Sequence, residues 1–279
     1  MQYTMQYISA AGGSITFSLK SGLIITDFSL LSGLPVTIST SQSVSQIGGT
    51  VESQLIDPRS STIKGFIRGN GVEGKRRLLS VIRPLEKAKI LVNNQYSMDV
   101  YVSDTPAVER ENMFPQFEFG VTAPYPFWQS TAETAVPMAG IAGRFQFPWN
   151  LTQPYKFGDL ISSYFTSIYN AGQVPTGFEL EIYASGAAEN PRFEDIETGD
   201  MLKINKALDA GERITISTTN DGLTAISNVA GDIEGLIDID STLFSLRSGD
   251  NVIRYDADSG RENLTVSIRF SNKYAGVVV

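Results

Sequence analysis

Strict alternation of apolar and polar side chains runs through most of this chain and constrains its fold more than any other feature. From 178 to 184 the sequence reads Phe-Glu-Leu-Glu-Ile-Tyr-Ala, and similar runs lie at Ser14–Leu19, Arg213–Ser217 and Leu264–Phe270. Successive side chains of a strand point to opposite faces, so this pattern predicts strands with one buried face. Turns such as Asn220-Asp221-Gly222 separate the runs, which is typical of antiparallel hairpins. The sequence therefore predicts a mainly β protein.

In the first half, the same alternation predicts strands separated by turns, among them Asp57-Pro58-Arg59-Ser60. These strands are predicted at Leu23–Leu30, Pro35–Thr40, Gly49–Leu55, Ser61–Arg68, Lys87–Val92, Ser97–Val102 and Gln116–Thr122. In the second half, the aromatic-rich stretch 160–170 is compatible with strand or helix, and we favour strand.

One segment of the first half has helical periodicity instead. Between Glu73 and Arg83, apolar side chains are predicted on one face and cations on the other, and Pro84 ends the helix. The apolar set is Leu78, Leu79 and Ile82, and the basic set is Lys75, Arg76 and Arg77. The basic set could meet phosphate, could meet an acidic neighbour, or could simply be a solvated helix face. We select it as a candidate inter-subunit contact.

The chain is long enough for two domains, and we place them at 1–130 and 131–279. The alternation weakens between Ala123 and Trp149, where several prolines lie. This segment is interpreted as the seam between the domains. Its large aromatic residues are either packing at that seam or a platform for sugars; they are Tyr125, Phe127, Trp128 and Trp149.

The formal charge differs between the two predicted domains. Up to Ser130 there are 11 Lys+Arg and 10 Asp+Glu, whereas the remainder holds 11 and 20, which together give the net charge of −8. An acidic second half argues against general nucleic-acid binding, because phosphate neutralisation requires Lys and Arg. A protein partner for the basic helix face is therefore favoured over nucleic acid.

The chain contains no histidine and no cysteine. This removes the usual general base, the commonest metal ligands, thiolate nucleophiles and disulfides. We expect no cofactor, no metal site and no enzymatic activity. The remaining candidates for chemistry are clustered carboxylates, which could serve a glycosidase or a calcium site or form a solvated acidic loop. They are Asp232, Glu234, Asp238 and Asp240, of which the last two would share a face if 237–239 is extended.

No apolar run approaches the ~20 residues of a membrane helix, and the first residues show no secretory signal. We expect a soluble protein that is made in a cytoplasm and has no membrane partner.

Several motifs of the second half, in their order and spacing, resemble the C-terminal domain of the distal tail proteins of long-tailed (siphovirus-type) bacteriophages. In the first half, the strand-rich start, the amphipathic helix and the element Pro124-Tyr125-Pro126-Phe127-Trp128 agree with that family. The motifs are Gly177–Gly186, Glu189-Asn190-Pro191-Arg192-Phe193, Thr198-Gly199, Leu208–Ile216, Leu246–Ile253 and Tyr274-Ala275-Gly276-Val277.

The resemblance implies a ring-forming N-terminal β domain and a galectin-like antiparallel β-sandwich as C-terminal domain. It implies a homo-hexameric ring, with stacking of two rings left open, in the tail tip or baseplate of the virion. The ring would join the tail tube protein to the tail-tip hub protein and carry receptor-binding proteins. DNA would pass through its channel without specific binding.

Two other functions stay open from the residues alone. A carbohydrate-binding module recognising bacterial cell-wall polysaccharide would use the sandwich and the seam aromatics. A glycoside hydrolase would use Asp238 and Asp240.

Overall fold

The structure is a computed structural model that describes residues 3–109, 113–143, 158–161, 165–219 and 222–278. The chain divides into two compact units. The N-terminal unit comprises residues 1–132 together with 273–279, and the C-terminal unit comprises 133–272. The predicted domain boundary between residues 130 and 131 stays a prediction.

The described part of the N-terminal unit consists mainly of strands, with one α-helix, α1, at Gly71–Val81 and a short 3₁₀ helix at Ser29–Leu31. The strands are β1 Met5–Ser9, β2 Ser14–Phe17, β3 Leu23–Asp27, β4 Val36–Ser41, β5 Thr50–Ile56, β6 Arg59–Ile67, β7 Lys87–Val92, β8 Tyr96–Val108, β9 Gln116–Ala123 and the start of β10 Trp128–Gly143. The predicted strand over Leu23–Leu30 therefore ends early, and the 3₁₀ turn replaces its second half.

Antiparallel pairing orders the main sheet of this unit as β2-β1-β7-β8-β9-β6-β3. A bridge between Ser18 and Leu23 connects the two ends of this order. β8 is the strand at which the sheet bends, because it pairs with β7 up to Tyr101 and with β9, through two irregular registers, from Tyr101 onward. A sheet that closes on itself leaves few edges open to unwanted pairing.

Alternating side chains of these strands fill the core of the unit. Phe17, Phe117 and Phe119 stack with ring centroids 5.8 to 6.4 Å apart. Gly65 of β6 is required here, because a Cβ at this position would lie 2.2 Å from the carbonyl oxygen of Ile24 and 2.5 Å from the Phe117 ring. The sequence thus supplies both the buried rings and the glycine that leaves room for them.

The described part of the C-terminal unit consists mainly of short strands, as the alternation predicts. The strands are β11 Gly158–Ile161, β12 Phe165–Asn170, β13 Glu179–Ala184, β14 Ala188–Glu189, β15 Arg192–Asp195, β16 Met201–Lys203, β17 Ala207–Leu208, β18 Arg213–Ser217, β19 Thr224–Ser227, β20 Gly231–Asp232, β21 Gly249–Asp256 and β22 Leu264–Tyr274, with 3₁₀ helices at Glu234–Leu236 and Arg261–Asn263. They form two larger antiparallel sheets, of order β22-β13-β18-β19-β20 and β12-β21-β15-β16, and the small pair β14–β17.

The core of this unit lies between the two sheets. Ile182, Ile214 and Val266 from the first sheet belong to the same buried cluster as Phe193 and Ile253 from the second. Truncating one such residue to Ala costs roughly 2–5 kcal/mol in comparable cores. The mainly β class and the sandwich of the second half are confirmed, as is the strand at Phe165–Asn170.

The segment interpreted as a seam is more regular than its prolines suggest. β10 runs from Trp128 to Gly143 without interruption and crosses the point at which the two units meet in sequence, between Ala132 and Glu133. Residues 144–157, including Trp149, lie outside the described residues.

Candidate functional site

The hairpin β4–β5 is the most unusual surface of the N-terminal unit. Its strands pair with each other and, within the described residues, with no further strand. Every residue of both strands is exposed. The register places the pairs Val36–Ile56, Ile38–Gln54 and Thr40–Val51 on one face. The other face carries the pairs Thr37–Leu55, Ser39–Ser53 and Ser41–Thr50.

The hairpin is therefore amphipathic, although in the described ranges it pairs with no strand other than its own two. We call Val36, Ile38, Val51 and Ile56 the apolar face; each is at least 50% exposed. Covering the exposed half of these four side chains would stabilise the hairpin by roughly 3–6 kcal/mol. A lone two-stranded hairpin is marginally stable in water, so this face is a candidate docking surface.

Helix α1 lies on the same unit and carries the predicted basic residues. Asn70 caps it: its Oδ1 accepts hydrogen bonds from the backbone N–H groups of Val72 and Glu73 at 3.1 and 3.2 Å. Gly74 lets the helix approach the sheet, since a Cβ there would lie 2.5 Å from Ile67. The helix begins two residues before the prediction and ends at Val81, and Ile82 is its C-cap.

The predicted apolar face of this helix is wrong at one position. Leu78 is fully buried and Ile82 is 2% exposed, but Leu79 is 46% exposed and lies on the solvent side. Adjacent helical residues point about 100° apart, and here that rotation carries Leu79 out of the face on which Leu78 packs.

The candidate inter-subunit contact is partly engaged within the chain. Arg76 Nη1 lies 2.9 Å from Glu73 Oε2, and Arg77 Nη1 donates to the Ser21 carbonyl at 3.4 Å. Such exposed ion pairs are worth little, so both arginines can exchange these contacts for others. That they contact a neighbouring subunit stays a prediction.

Three of the seam aromatics, Tyr125, Phe127 and Trp128, belong to the N-terminal unit. Trp128 is fully buried, donates from Nε1 to the Leu30 carbonyl at 2.8 Å, and packs edge-on against Phe28. A buried indole cannot stack on a sugar, so Trp128 is removed from the proposed platform. Tyr125 and Phe127 contact each other with centroids 5.3 Å apart.

Sequence reasoning missed a buried arginine next to Trp128. Arg59 is 2% exposed and donates to the Leu30 carbonyl at 2.7 Å and to the Ala275 carbonyl. Burial lowers the pKa of its guanidinium. Residues 273–279 belong to this unit, and Arg59 connects them to its first part by bonding both the Ala275 and the Leu30 carbonyls.

Lys273 is a second buried cation that the sequence pattern did not single out. It is 6% exposed, donates from Nζ to the Tyr125 hydroxyl at 2.9 Å, and lies 4.8 Å above that ring. Burial lowers the pKa of Lys273 to about 8 and raises the pKa of Tyr125.

In the C-terminal unit, the buried carboxylate of Glu212 accepts hydrogen bonds from neighbouring side chains. Lys206 Nζ lies 2.8 Å from one of its oxygens, and the Ser227 hydroxyl donates to it at 2.5 Å. Burial alone would raise the pKa of Glu212, but these hydrogen bonds and the positive charge of Lys206 outweigh it and lower the pKa.

Two of the clustered carboxylates are held by local hydrogen bonds. Asp238 and Asp240 lie in a turn, and Asp238 Oδ1 accepts the backbone N–H of Asp240 at 2.9 Å. This hydrogen bond, together with one from Asn205, lowers the pKa of Asp238. Among the described residues, no group of three or more acidic side chains is placed to hold a metal ion.

Within the described ranges, no helix combines the length and apolar composition that crossing a bilayer would require.

Comparison with known proteins gives two kinds of match. Residues 171–274 match the sequence profile of the family described as "Siphovirus-type tail component, C-terminal domain". The fold matches the crystal structure of SPP1 Dit (gp 19.1), described as a paradigm of the hub adsorption apparatus in phages that infect Gram-positive bacteria. That match has a TM-score of 0.71 and 12% identity over 98% of this chain and 99% of the other.

A chain of the phage P2 baseplate in its activated conformation with Ca also matches, with a TM-score of 0.53 and 13% identity, over 99% of this chain and 100% of that one. No curated protein sequence matches the chain. The predicted resemblance to distal tail proteins is thus confirmed, in sequence for residues 171–274 and in fold for nearly the whole chain. These matches support a structural role in a phage tail or baseplate and are consistent with the expected lack of enzymatic activity.

Proposed function

We propose that this chain, which has the fold of distal tail proteins, is a non-enzymatic ring component of a bacteriophage tail tip. The ring is a homo-hexamer that joins the tail tube protein to the tail-tip hub protein and to receptor-binding proteins. Residues 1–130 build the ring and 131–279 form an outer scaffold. The protein is made in the cytoplasm of the host bacterium and acts in the virion.

The amphipathic hairpin is the observation that carries this proposal. Its apolar face has no cover within the described chain, and copies of the same chain are the partner that is always present at high local concentration. A contact between two different surfaces of identical subunits closes into a ring when its rotation is a divisor of the full circle. We expect more than ~1,000 Å² to be buried per subunit pair, because smaller contacts resemble crystal packing.

The opposite face of the hairpin suits a channel that DNA crosses without binding. It carries the hydroxyl side chains Thr37, Ser39, Ser41, Thr50 and Ser53, together with the apolar side chain of Leu55 at the base of the hairpin. From 36 to 56 the sequence contains one charged residue, Glu52. Retention of a phosphate backbone requires Lys or Arg, so an uncharged hydroxyl surface lets DNA pass without holding it.

The test changes neighbouring residues on the two hairpin faces. Ile38→Lys places a charge on the apolar face, and Ser39→Lys places the same charge on the hydroxyl face one residue away. Both positions are exposed, so both variants should fold, which circular dichroism checks. We expect the wild type and Ser39→Lys to form annular particles of one size by light scattering and negative-stain microscopy, and Ile38→Lys to remain monomeric.

Two results would contradict the proposal. One is a wild type that stays monomeric at high concentration, both alone and with tail tube and hub proteins. The other is Ile38→Lys assembling as well as Ser39→Lys, because the apolar face would then not be the subunit contact.

A further inference from the structure

We infer that the tip of the β4–β5 hairpin inserts into an aromatic groove on the next copy of this chain; this rests on the proposed ring and names both surfaces of one of its contacts. The tip presents Val44 and Ile47, whose side chains are 99% and fully exposed. These are the most exposed aliphatic residues of the described N-terminal unit. Exposing apolar side chains to water to this degree is unfavourable, and burying them in an apolar surface of a partner would be favourable.

The tip is ordered by its own hydrogen bonds. Gln42 Nε2 donates to the Gln46 backbone carbonyl at 2.8 Å. The Gln46 side chain accepts from the Ser43 N–H through Oε1 at 3.0 Å and donates from Nε2 to the Thr50 hydroxyl at 3.1 Å. Ser45 adopts a φ of 72°, a left-handed conformation that a serine holds only where its surroundings impose it. The two apolar side chains are therefore presented on a fixed turn, which lowers the entropic cost of binding.

A groove that fits them lies at the far end of the same unit. It has a volume of about 670 Å³ and is open to solvent. Phe66, Phe114 and Val108 supply apolar walls, and Lys64 and Glu118, 3.6 Å apart, form a polar rim. The rings of Phe66 and Phe114 meet edge to face at 5.9 Å. The volume falls within the range of sites that bind compact ligands, about 300–1,000 Å³.

The two surfaces lie at opposite ends of strand β6. The hairpin leaves the sheet just before Arg59, the first residue of β6, whereas Lys64 and Phe66 near its other end line the groove. Five to seven strand residues span roughly 17–24 Å. Because Val44 and Ile47 are fully exposed, the tip does not occupy the groove of its own chain. A neighbouring copy of the chain must therefore supply the tip that fills this groove. Contacts in which two different surfaces meet head to tail form a ring when the rotation closes.

The lack of native cysteine gives a direct test. The variant Ile47→Cys/Phe114→Cys carries one thiol on each surface. Under oxidation, or with a short bis-maleimide, we expect a ladder of covalent oligomers that ends at the closed ring. Each single-cysteine variant should yield dimers at most. The matched control Ile47→Cys/Ile239→Cys uses an apolar residue that is 97% exposed in the C-terminal unit, and we expect no ladder from it.

A second measurement does not depend on thiol geometry. Val44→Ser/Ile47→Ser should weaken ring assembly by roughly tenfold or more for each side chain, whereas Val229→Ser, an exposed site of the C-terminal unit, should leave it unchanged. The inference is overturned, and the ring proposal survives, if the wild type forms rings while the cysteine pair gives no ladder and the serine variant assembles normally. A wild type that never forms rings overturns both.

Discussion

Lys273 gives the sharpest prediction about stability. In the folded chain the pKa of its ammonium is lowered from 10.5 to about 8 because the side chain is buried against Tyr125. Between these two pH values the unfolded chain binds one proton more than the folded chain, so the free energy of unfolding must rise as pH rises through this range. The pKa difference of roughly 2.5, at about 1.4 kcal/mol for each, corresponds to about 3 kcal/mol in total.

About 2 kcal/mol of this rise should develop between pH 7 and pH 9.5. Above pH 10 the raised pKa of Tyr125 acts in the opposite direction, since the folded chain then holds a proton that the unfolded chain loses. The useful assay is therefore urea unfolding between pH 7 and 9.5, followed by the fluorescence of the buried Trp128.

Replacing Lys273 by Met removes the buried charge and keeps the length of the side chain. The Lys273→Met variant should be about 2 kcal/mol more stable than the wild type at pH 7, after allowance for about 1 kcal/mol from the lost hydrogen bond. Its stability should not rise toward pH 9.5. Lys89→Met, an exposed site that lies 3.8 Å from Asp99, is the control and should keep the wild-type rise. A flat wild-type curve, or a Lys273→Met curve that still rises, would refute the reasoning.

Three further predictions concern both units. Leu78→Ala should cost roughly 2–4 kcal/mol in denaturant unfolding and Leu79→Ala less than about 1, because only the first is buried; equal costs would contradict the helix orientation. Glu212→Gln should cost roughly 2–4 kcal/mol at pH 7 by leaving Lys206 without its carboxylate, and the difference from wild type should shrink as pH falls through the lowered pKa of Glu212; a difference that is constant with pH would argue against it. Arg76→Glu/Arg77→Glu should weaken assembly more at roughly 0.05 M salt than at 0.5 M, measured by sedimentation; unchanged assembly would retire the inter-subunit role of this basic face.

Local pattern was sufficient for the strands and for the existence of the helix. The alternation at Phe178–Ala184 corresponds to β13, because a period of two has one structural explanation. The sequence also carries a signal for the start of the helix, because Asn70, immediately before it, is a preferred N-cap residue. The error at Leu79 arose because two adjacent leucines fit one apolar stripe equally well in sequence.

Tertiary features were beyond the reach of pattern. Alternation predicted that β4 and β5 are strands, but it could not reveal that their apolar face is exposed in the described structure, since exposure depends on how the other strands pack. Arg59 and Lys273 are of residue types that are almost always exposed, so only the fold could show that they are buried. Both contacts bring residues far apart in sequence together.

The return of residues 273–279 to the N-terminal unit has a consequence for biosynthesis. Val277 donates its backbone N–H to the Leu31 carbonyl at 2.8 Å, and the Ala275 carbonyl accepts from Arg59. A ribosome releases these residues only after it has translated the whole intervening C-terminal unit. The segment that carries the hairpin therefore emerges early but lacks its last stabilising contacts until translation has passed residue 277.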